Sequence, residues 1–309
     1  LAIRLRLATR LTRRRYRLQK LVQAWLRRRG ISGYYSLYDV PLELLPEFDL
    51  CQRRSLYAPG GFEGGAEGLA DLMAGSDQAR LWGWDIDEES AFTQLQAEIE
   101  GGRRRVLFLY TAELDALMHA TGPGSAATAE RLARYSERIT RLVELARRQY
   151  REVRIFVFGD HGMAPVVATH DLWGALEESG LRCPQDLLWF FDSTMARFWP
   201  RDAATGARLT EALAALDYGR VLTDDELERL GARFPGGDYG EIIFLLQEGR
   251  ILVPSFMSAT PVRGMHGYHP QDRHSHTTLL TNVEGREYPG DLVALHTLLR
   301  SEIAEALAG

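Results

Sequence analysis

Apolar positions along the chain follow two different rhythms. Continuous apolar runs of strand length occur in "RVLFLYT", residues 105–111, and in "VRIFVFG", residues 153–159. Runs of this kind suit strands buried on both faces, as in a parallel sheet. Between them, 125–149 carries leucines at helical spacing and opens with Ser125, a capping residue. Strand, long helix and strand together predict a βαβ unit. "RLWGWDI" reads as a short strand, and 87–100 as a helix capped by Asp87. Further helices are expected at 1–28 with Gly30 as C-cap, around 65–74, near 206–216, near 224–231 and at 290–307. "HTTLLTN" reads as a return strand, and "EIIFLLQEGRILVPS" as a hairpin turning at Glu248-Gly249.

The rhythm loosens after Asp171. From "LLWFFDSTMARFW" to about 258 the chain lacks the strand–helix alternation of the preceding part, and 172–258 reads as a smaller inserted, cap-like region. The expected organisation is a basic helix over 1–30 followed by one α/β domain over 31–309 that carries this insertion. The glycine-rich "APGGFEGGAEG" lacks the GxxxxGK[ST] pattern, so its glycines read as turns rather than a phosphate cradle.

Composition narrows the picture only slightly. The chain has 309 residues, 45% of them apolar and 26% charged, which is ordinary for a globular protein large enough to bury a sizeable core. No apolar run reaches the roughly 20 residues that a membrane-spanning helix needs. Cys51 and Cys183 form neither a disulfide framework nor a CxxC pattern, which fits a reducing compartment. The chain opens with Leu rather than Met and shows no signal-peptide pattern. The expectation is a cytoplasmic protein whose natural start is absent here, so that a lost signal stays open. Charge is uneven: residues 1–29 hold ten Arg, one Lys and no acid, leaving 26 basic against 42 acidic residues in the rest, a net of −16. This basic stretch reads as a solvated helix face with Leu7, Leu11, Leu18, Val22 and Trp25 turned inward. No second nucleic-acid motif accompanies it.

Three stretches carry candidate chemistry. In "LYTAELDALMHATGPG", Asp115 and His119 stand four apart and share one helical face, as a metal-ligand pair or as a surface coincidence. In "RIFVFGDHGMAPV" the apolar strand stops at Gly159 and presents Asp160 and His161 side by side. The flanking glycines permit a sharp exit and close approach of backbone to a ligand, although a capped turn would look the same. In "RGMHGYHPQDRHSH", His266 sits among glycines, and His269, His274 and His276 come after it; four of the chain's eight histidines fall within these eleven residues. Open α/β sheets place their sites where strands end.

Taken together, the three stretches stand as Glu113-Leu114-Asp115-(x3)-His119-(x2)-Gly122-Pro123, Gly159-Asp160-His161-Gly162-Met163 and Gly264-Met265-His266-Gly267-Tyr268. This set resembles the ligand motifs of the alkaline phosphatase superfamily, nearest to the type I phosphodiesterases and nucleotide pyrophosphatases. The resemblance spans about 105–282, with its weakest fit over 172–258. Leu114 departs from it, since the family usually has proline there.

The resemblance implies an α/β fold with a mostly parallel central sheet flanked by helices. It implies two divalent ions about 4 Å apart, zinc being favoured and manganese the alternative. Asp115, His119 and His266 would hold one ion, and Asp160 and His161 the other. The implied activity is two-metal hydrolysis of a phosphate ester, a small molecule or nucleotide. Thr194, Arg197 and His269 are the candidates for substrate contact, with Phe198 and Trp199 beside them.

The family also uses an aspartate from its first strand and a Thr or Ser nucleophile at a helix start, both upstream of the Asp-x3-His motif. Residues 1–104 offer neither in the required pattern; Asp85 and Thr93 match poorly, because Thr93 falls within a helical run. The catalytic nucleophile is therefore unassigned, and the expectation is a truncated chain that binds metal but hydrolyses little. A phosphomutase, a sulfatase-like member of the superfamily and a metal-binding pseudoenzyme are the alternatives. Neither cysteine stands in the Cys-x-Pro-x-Arg context of sulfatases.

Overall fold

The structure, a computed structural model, describes residues 65–285 and 287–308 together with shorter stretches between 21 and 62. The first half carries β1 (Ser32–Gly33), β2 (Cys51–Gln52), α1 (Leu69–Met73), β3 (Ala79–Trp82), α2 (Glu88–Gly101), β4 (Val106–Leu109), α3 (Glu113–Thr121) and α4 (Ala126–Gln149). Next come β5 (Phe156–Phe158), β6 (Ala164–Pro165), β7 (Ala168–His170), α5 (Leu172–Glu178), β8 (Leu187–Phe191), β9 (Met195–Pro200), α6 (Ala203–Ala214) and β10 (Gly219–Val221). The chain closes with α7 (Asp224–Arg229), β11 (Ile242–Leu246), β12 (Arg250–Leu252), β13 (Gly264–Met265), β14 (Leu279–Thr281) and α8 (Leu292–Ala308). The fold is mixed α/β. Among the described residues, ladders are parallel at β3–β4 and β7–β12 and antiparallel elsewhere. No helix among these residues is long and apolar enough to cross a membrane.

The chain divides into two compact units. One draws on the described residues of Arg54–Met163 and of His276–Gly309. Its helices α2 and α4 begin where side chains cap them. Asp87 accepts from the Ser90 amide and Gly102 closes α2 in the left-handed conformation, while Ser125 accepts from the Thr128 amide at the start of α4. The Asp71 carboxylate accepts from the amides of Gly60 (2.6 Å) and Gly68 (2.7 Å), so the glycine-rich loop closes on α1. The parallel crossover is β3–α2–β4, with Ala79 opposite Val106 and Trp82 opposite Leu109. The sequence placed that crossover one step later, over β4–α4–β5. No ladder joins β4 to β5 among the described residues, although the Phe108 and Phe158 rings lie 6.4 Å apart. Instead β5 pairs antiparallel with β14. Both β4 and β5 are half-buried rather than buried on both faces. Arg154 ties the approach to β5 onto α8 through Glu302 (3.0 Å) and Glu305 (2.9 Å). The Asn282 amide brackets the same approach, accepting from the Ile155 amide and donating to the Val153 carbonyl.

The other unit draws on Ala164–Ser275 and the described residues of Leu1–Arg53. Its centre is an antiparallel sheet in the order β10–β11–β9–β8. An aromatic core packs on it, with Trp189, Phe191, Phe198, Phe244 and Phe256 almost fully buried. Alternation along β9 explains which residues join that core. Ala196 and Phe198 point inward, and Met195, Arg197 and Trp199 fall on the opposite face. Phe198 is therefore a core residue and is not available for the substrate contact expected around Arg197.

The expected hairpin at Glu248-Gly249 does not form. After β11 the chain turns, Arg250 N–H donating to the Gln247 carbonyl, and β12 then pairs in parallel with β7, Ile251 opposite Thr169. The Gly249 carbonyl accepts from Val167 and Ala168, and Leu252 N–H donates to the Ser193 carbonyl. Both halves of the segment are apolar and can be buried against any partner, so the pattern alone does not choose one.

Residues 1–20 of the expected N-terminal helix, including Leu7, Leu11 and Leu18, lie outside the described residues, as do Val22 and Gly30. Leu21, Ala24, Trp25 and Arg28 are helical. Trp25, expected to face inward, is exposed, with the Arg29 guanidinium 4.9 Å above its ring.

Candidate functional site

The first unit presents two candidate ligand pairs, each from a chain turn that succeeds a strand. At the end of β4 the chain passes through Tyr110 and Thr111 into α3, and α3 places Asp115 and His119 one turn apart. The His119 Nε2 and Asp115 Oδ2 atoms lie 3.4 Å from each other. At the end of β5, Gly159 N–H donates to the Thr278 carbonyl, and the chain then turns out through Asp160 and His161. His161 Nδ1 donates to the Gly162 carbonyl at 2.9 Å. A carbonyl only accepts, so this contact places a proton on Nδ1, and Nε2 is the other ring nitrogen. That Nε2 lies 3.5 Å from Asp160 Oδ1.

Two tyrosines that sequence reasoning missed stand beside these acids. The rings of Tyr57 and Tyr110 are 5.4 Å apart. Burial raises the Tyr110 hydroxyl's pKa, and the charges of Asp160 and then Asp115 raise it further. Tyr57 is raised by burial first, then by Tyr110, Asp160 and Asp85. Both phenols thus stay protonated as donors near two carboxylates from different strand ends. The available signal was the position of Tyr110 directly after the apolar run. Thr93 lies inside α2 with its hydroxyl on the Glu89 carbonyl (2.8 Å), which removes it from any helix-start role.

The second unit carries the histidine-rich loop. β13 pairs with β6, Met265 opposite Ala164, and His266 comes directly after. Gly267 adopts φ +87, a conformation that suits glycine, and a Cβ there would lie 2.9 Å from the Thr194 hydroxyl. That hydroxyl donates to the Gly267 carbonyl at 2.9 Å. Thr194 is nearly inaccessible, in a tight turn between β8 and β9 where Asp192 N–H donates to the Met195 carbonyl. Tyr268 is buried and donates to the Arg250 carbonyl (3.1 Å).

The other candidates have protein partners in the same unit. His269 Nε2 lies 3.1 Å from Glu226 Oε1, and Arg220 grips the same carboxylate through both terminal nitrogens. His274 Nδ1 lies 2.6 Å from Glu248 Oε1. Arg197 pairs with Asp192 at 2.7 Å, and Trp199 donates its indole N–H to the Gly237 carbonyl. The structure thus brings Asp115 to His119 and Asp160 to His161, and it builds the turn that carries His266 around Thr194.

The profile of the family described as type I phosphodiesterase / nucleotide pyrophosphatase matches residues 55–269, more than half of the chain. No curated protein sequence matches. Among solved structures, the chain is similar to mouse ectonucleotide pyrophosphatase/phosphodiesterase 5, at 20% identity and a TM-score of 0.52, over 65% of this chain and 53% of that one. The human counterpart matches at 17% identity and 0.53, with the same coverages. An inactive variant of the mouse protein in complex with AMP matches at 19% and 0.57, over 72% of this chain and 60% of that one. At these identities the likeness establishes the fold, and the chain spans between half and three-fifths of the solved relatives' length.

Proposed function

The chain belongs to the type I phosphodiesterase/nucleotide pyrophosphatase family, and on that premise we propose that it is a metal-dependent phosphoester hydrolase acting on a nucleotide or a related small phosphate ester. One observation carries the reading. Within one unit two Asp–His pairs come together, His119 Nε2 lying 3.4 Å from Asp115 Oδ2 and His161 Nε2 3.5 Å from Asp160 Oδ1. Carboxylate oxygens with imidazole nitrogens suit zinc, with manganese as the alternative. We assign Asp115, His119 and His266 to one ion and Asp160 and His161 to a second. Ions bound there would neutralise charge on phosphoryl oxygens and lower the pKa of an attacking oxygen.

The chain's own residues have distinct tasks in this reading. The Gly162 carbonyl keeps the His161 proton on Nδ1 and leaves Nε2 as the donor atom. Thr194 holds the Gly267 carbonyl, which fixes the turn that presents His266. Tyr57 and Tyr110 stay protonated within reach of the Asp160 charge. Arg197 and His269 are proposed for the substrate phosphate, which would have to compete with Asp192 and Glu226 for them.

The AMP bound to one of the similar structures makes a nucleoside monophosphate the first ligand to try. A ligand that binds only the folded state raises stability in proportion to RT ln(1 + [L]/Kd). The expected result is that AMP raises the melting temperature of the zinc-loaded chain and not that of the chelated chain. Equal shifts in both, or none after zinc uptake, would refute the nucleotide assignment.

A further inference from the structure

Helix α3, which carries Asp115 and His119, begins without a cap of its own. Its N-cap position is Ala112, which makes no side-chain capping bond. A helix start normally needs such a partner for its unpaired amides. The side-chain contacts that surround this start come from two other helices. Glu88, the first residue of α2, is almost wholly buried, its side chain 4% exposed. It does not turn back on its own helix, where a first-turn carboxylate would ordinarily suit the helix dipole. It accepts hydrogen bonds from the Thr111 hydroxyl, just before α3, and from the Tyr135 hydroxyl on α4. Arg131, also on α4, completes the group, with one nitrogen 3.3 Å from Glu88 Oε1 and 2.7 Å from Glu113 Oε2. Glu113 is the first residue of α3 and lies two before Asp115. Burial and then Glu88 push the Tyr135 hydroxyl up to about 12, so it remains a donor.

The far end of α3 is held in the same way. Thr128, 1% exposed, donates to the Gly122 carbonyl (2.9 Å), and Ser125 bonds Thr121 (2.9 Å). A buried carboxylate costs stability unless its partners are well placed, and an apolar residue of the same size would often serve the fold equally well. Removing a group that orients metal ligands without touching the metal typically costs 10- to 100-fold in metal affinity.

From this arrangement we infer that Glu88 is a positioning residue for the metal centre: through Thr111 and the Arg131–Glu113 bridge it sets the start of α3, and with it the placement of Asp115 and His119. The inference rests on the metal-site reading above, and its test separates the two. The 309-residue chain is prepared as wild type, Glu88→Ala, Glu88→Gln and Thr111→Val. Zinc affinity is measured by competition with a chromophoric chelator. Amide hydrogen exchange over 113–119 and thermal unfolding are measured on the metal-free proteins.

The expected result is zinc affinity about 10- to 100-fold weaker in Glu88→Ala and an intermediate loss in Glu88→Gln, which keeps a carbonyl for Thr111 but loses the charge facing Arg131. Exchange over 113–119 rises in Glu88→Ala and Thr111→Val relative to the rest of the chain. Wild-type zinc affinity in Glu88→Ala, or exchange that rises evenly across the unit with the melting temperature, would make Glu88 a general stability residue and overturn the inference. If Glu88→Ala does not fold, Thr111→Val, which removes one hydroxyl, carries the test by the same criteria. Failure of the wild type to bind zinc would sink the metal-site reading, and the exchange data would still decide whether Glu88 fixes the helix.

Discussion

The corner that delivers Asp160 and His161 can be loaded with a single methyl group. Gly159 joins β5 to Asp160, and a Cβ built there would lie 2.3 Å from the Thr277 hydroxyl and 3.4 Å from the His161 carbonyl. The Thr277 Cβ is 3.6 Å away, an ordinary contact. One oxygen atom therefore accounts for the severe overlap. Gly159→Ala must displace Thr277 or move the Asp160–His161 turn, and inserting a carbon into a filled site costs about 1–3 kcal/mol. If the turn takes up the strain, zinc affinity falls by about 5- to 150-fold, the same energy expressed as binding. Thr277→Ala removes the offending oxygen. The double variant Gly159→Ala/Thr277→Ala is thus expected to lie within about 0.5 kcal/mol of Thr277→Ala alone, a strong non-additivity between neighbours. Urea unfolding of the metal-free proteins and chelator-competition titration of the zinc forms measure the two arms. An unperturbed Gly159→Ala, or a double variant as damaged as the single one, would refute the idea that the glycine is required for clearance.

Thr194→Val keeps the shape of the side chain and deletes its bond to the Gly267 carbonyl, so a loss of about 1 kcal/mol is expected in urea unfolding. Phe256→Ala opens the aromatic core beside Trp173, Phe190 and Phe191 and should cost about 3–5 kcal/mol; a loss below about 1 kcal/mol would mean that the site collapses or that the core is packed differently. Glu226 is pulled down to about 2, chiefly by Arg220. Its folded pKa lies below the unfolded value, so its contribution is fully present above about pH 4.5 and is lost as pH falls towards 2, an upper limit on the order of 3 kcal/mol. Arg220→Met should flatten stability over that window, and an unchanged pH profile would show that the pair does not matter.

Helices with a local cap were legible in the sequence. Asp87 and Ser125 announce α2 and α4 because a capping side chain acts within three residues of itself. The pairing of the candidate ligands was legible for a similar reason: Asp115 and His119 need only helical spacing to meet, and Asp160 and His161 need only one turn. Features that depend on distant partners were not. The segment from β11 to β12 looks like a hairpin until β7 and β9 are present to take its two halves. His269 and His274 read as further nitrogen donors of one loop, and their carboxylate partners, Glu226 and Glu248, lie 43 and 26 residues away. Glu88 reads as an ordinary first-turn acid, and only Thr111, Tyr135 and Arg131 around it mark it as buried. Arg197 and Phe198 look equivalent as neighbours in the chain, yet the two-residue period of β9 sends one to Asp192 and the other into the core.

Bound metal on the purified chain, measured by elemental analysis for the wild type and for His266→Ala, tests the central claim most directly. The account predicts one or two equivalents of zinc or manganese in the wild type and a clear reduction in the variant. A wild-type chain that holds no metal even after zinc is added, or a His266→Ala chain that holds as much as the wild type, would contradict it.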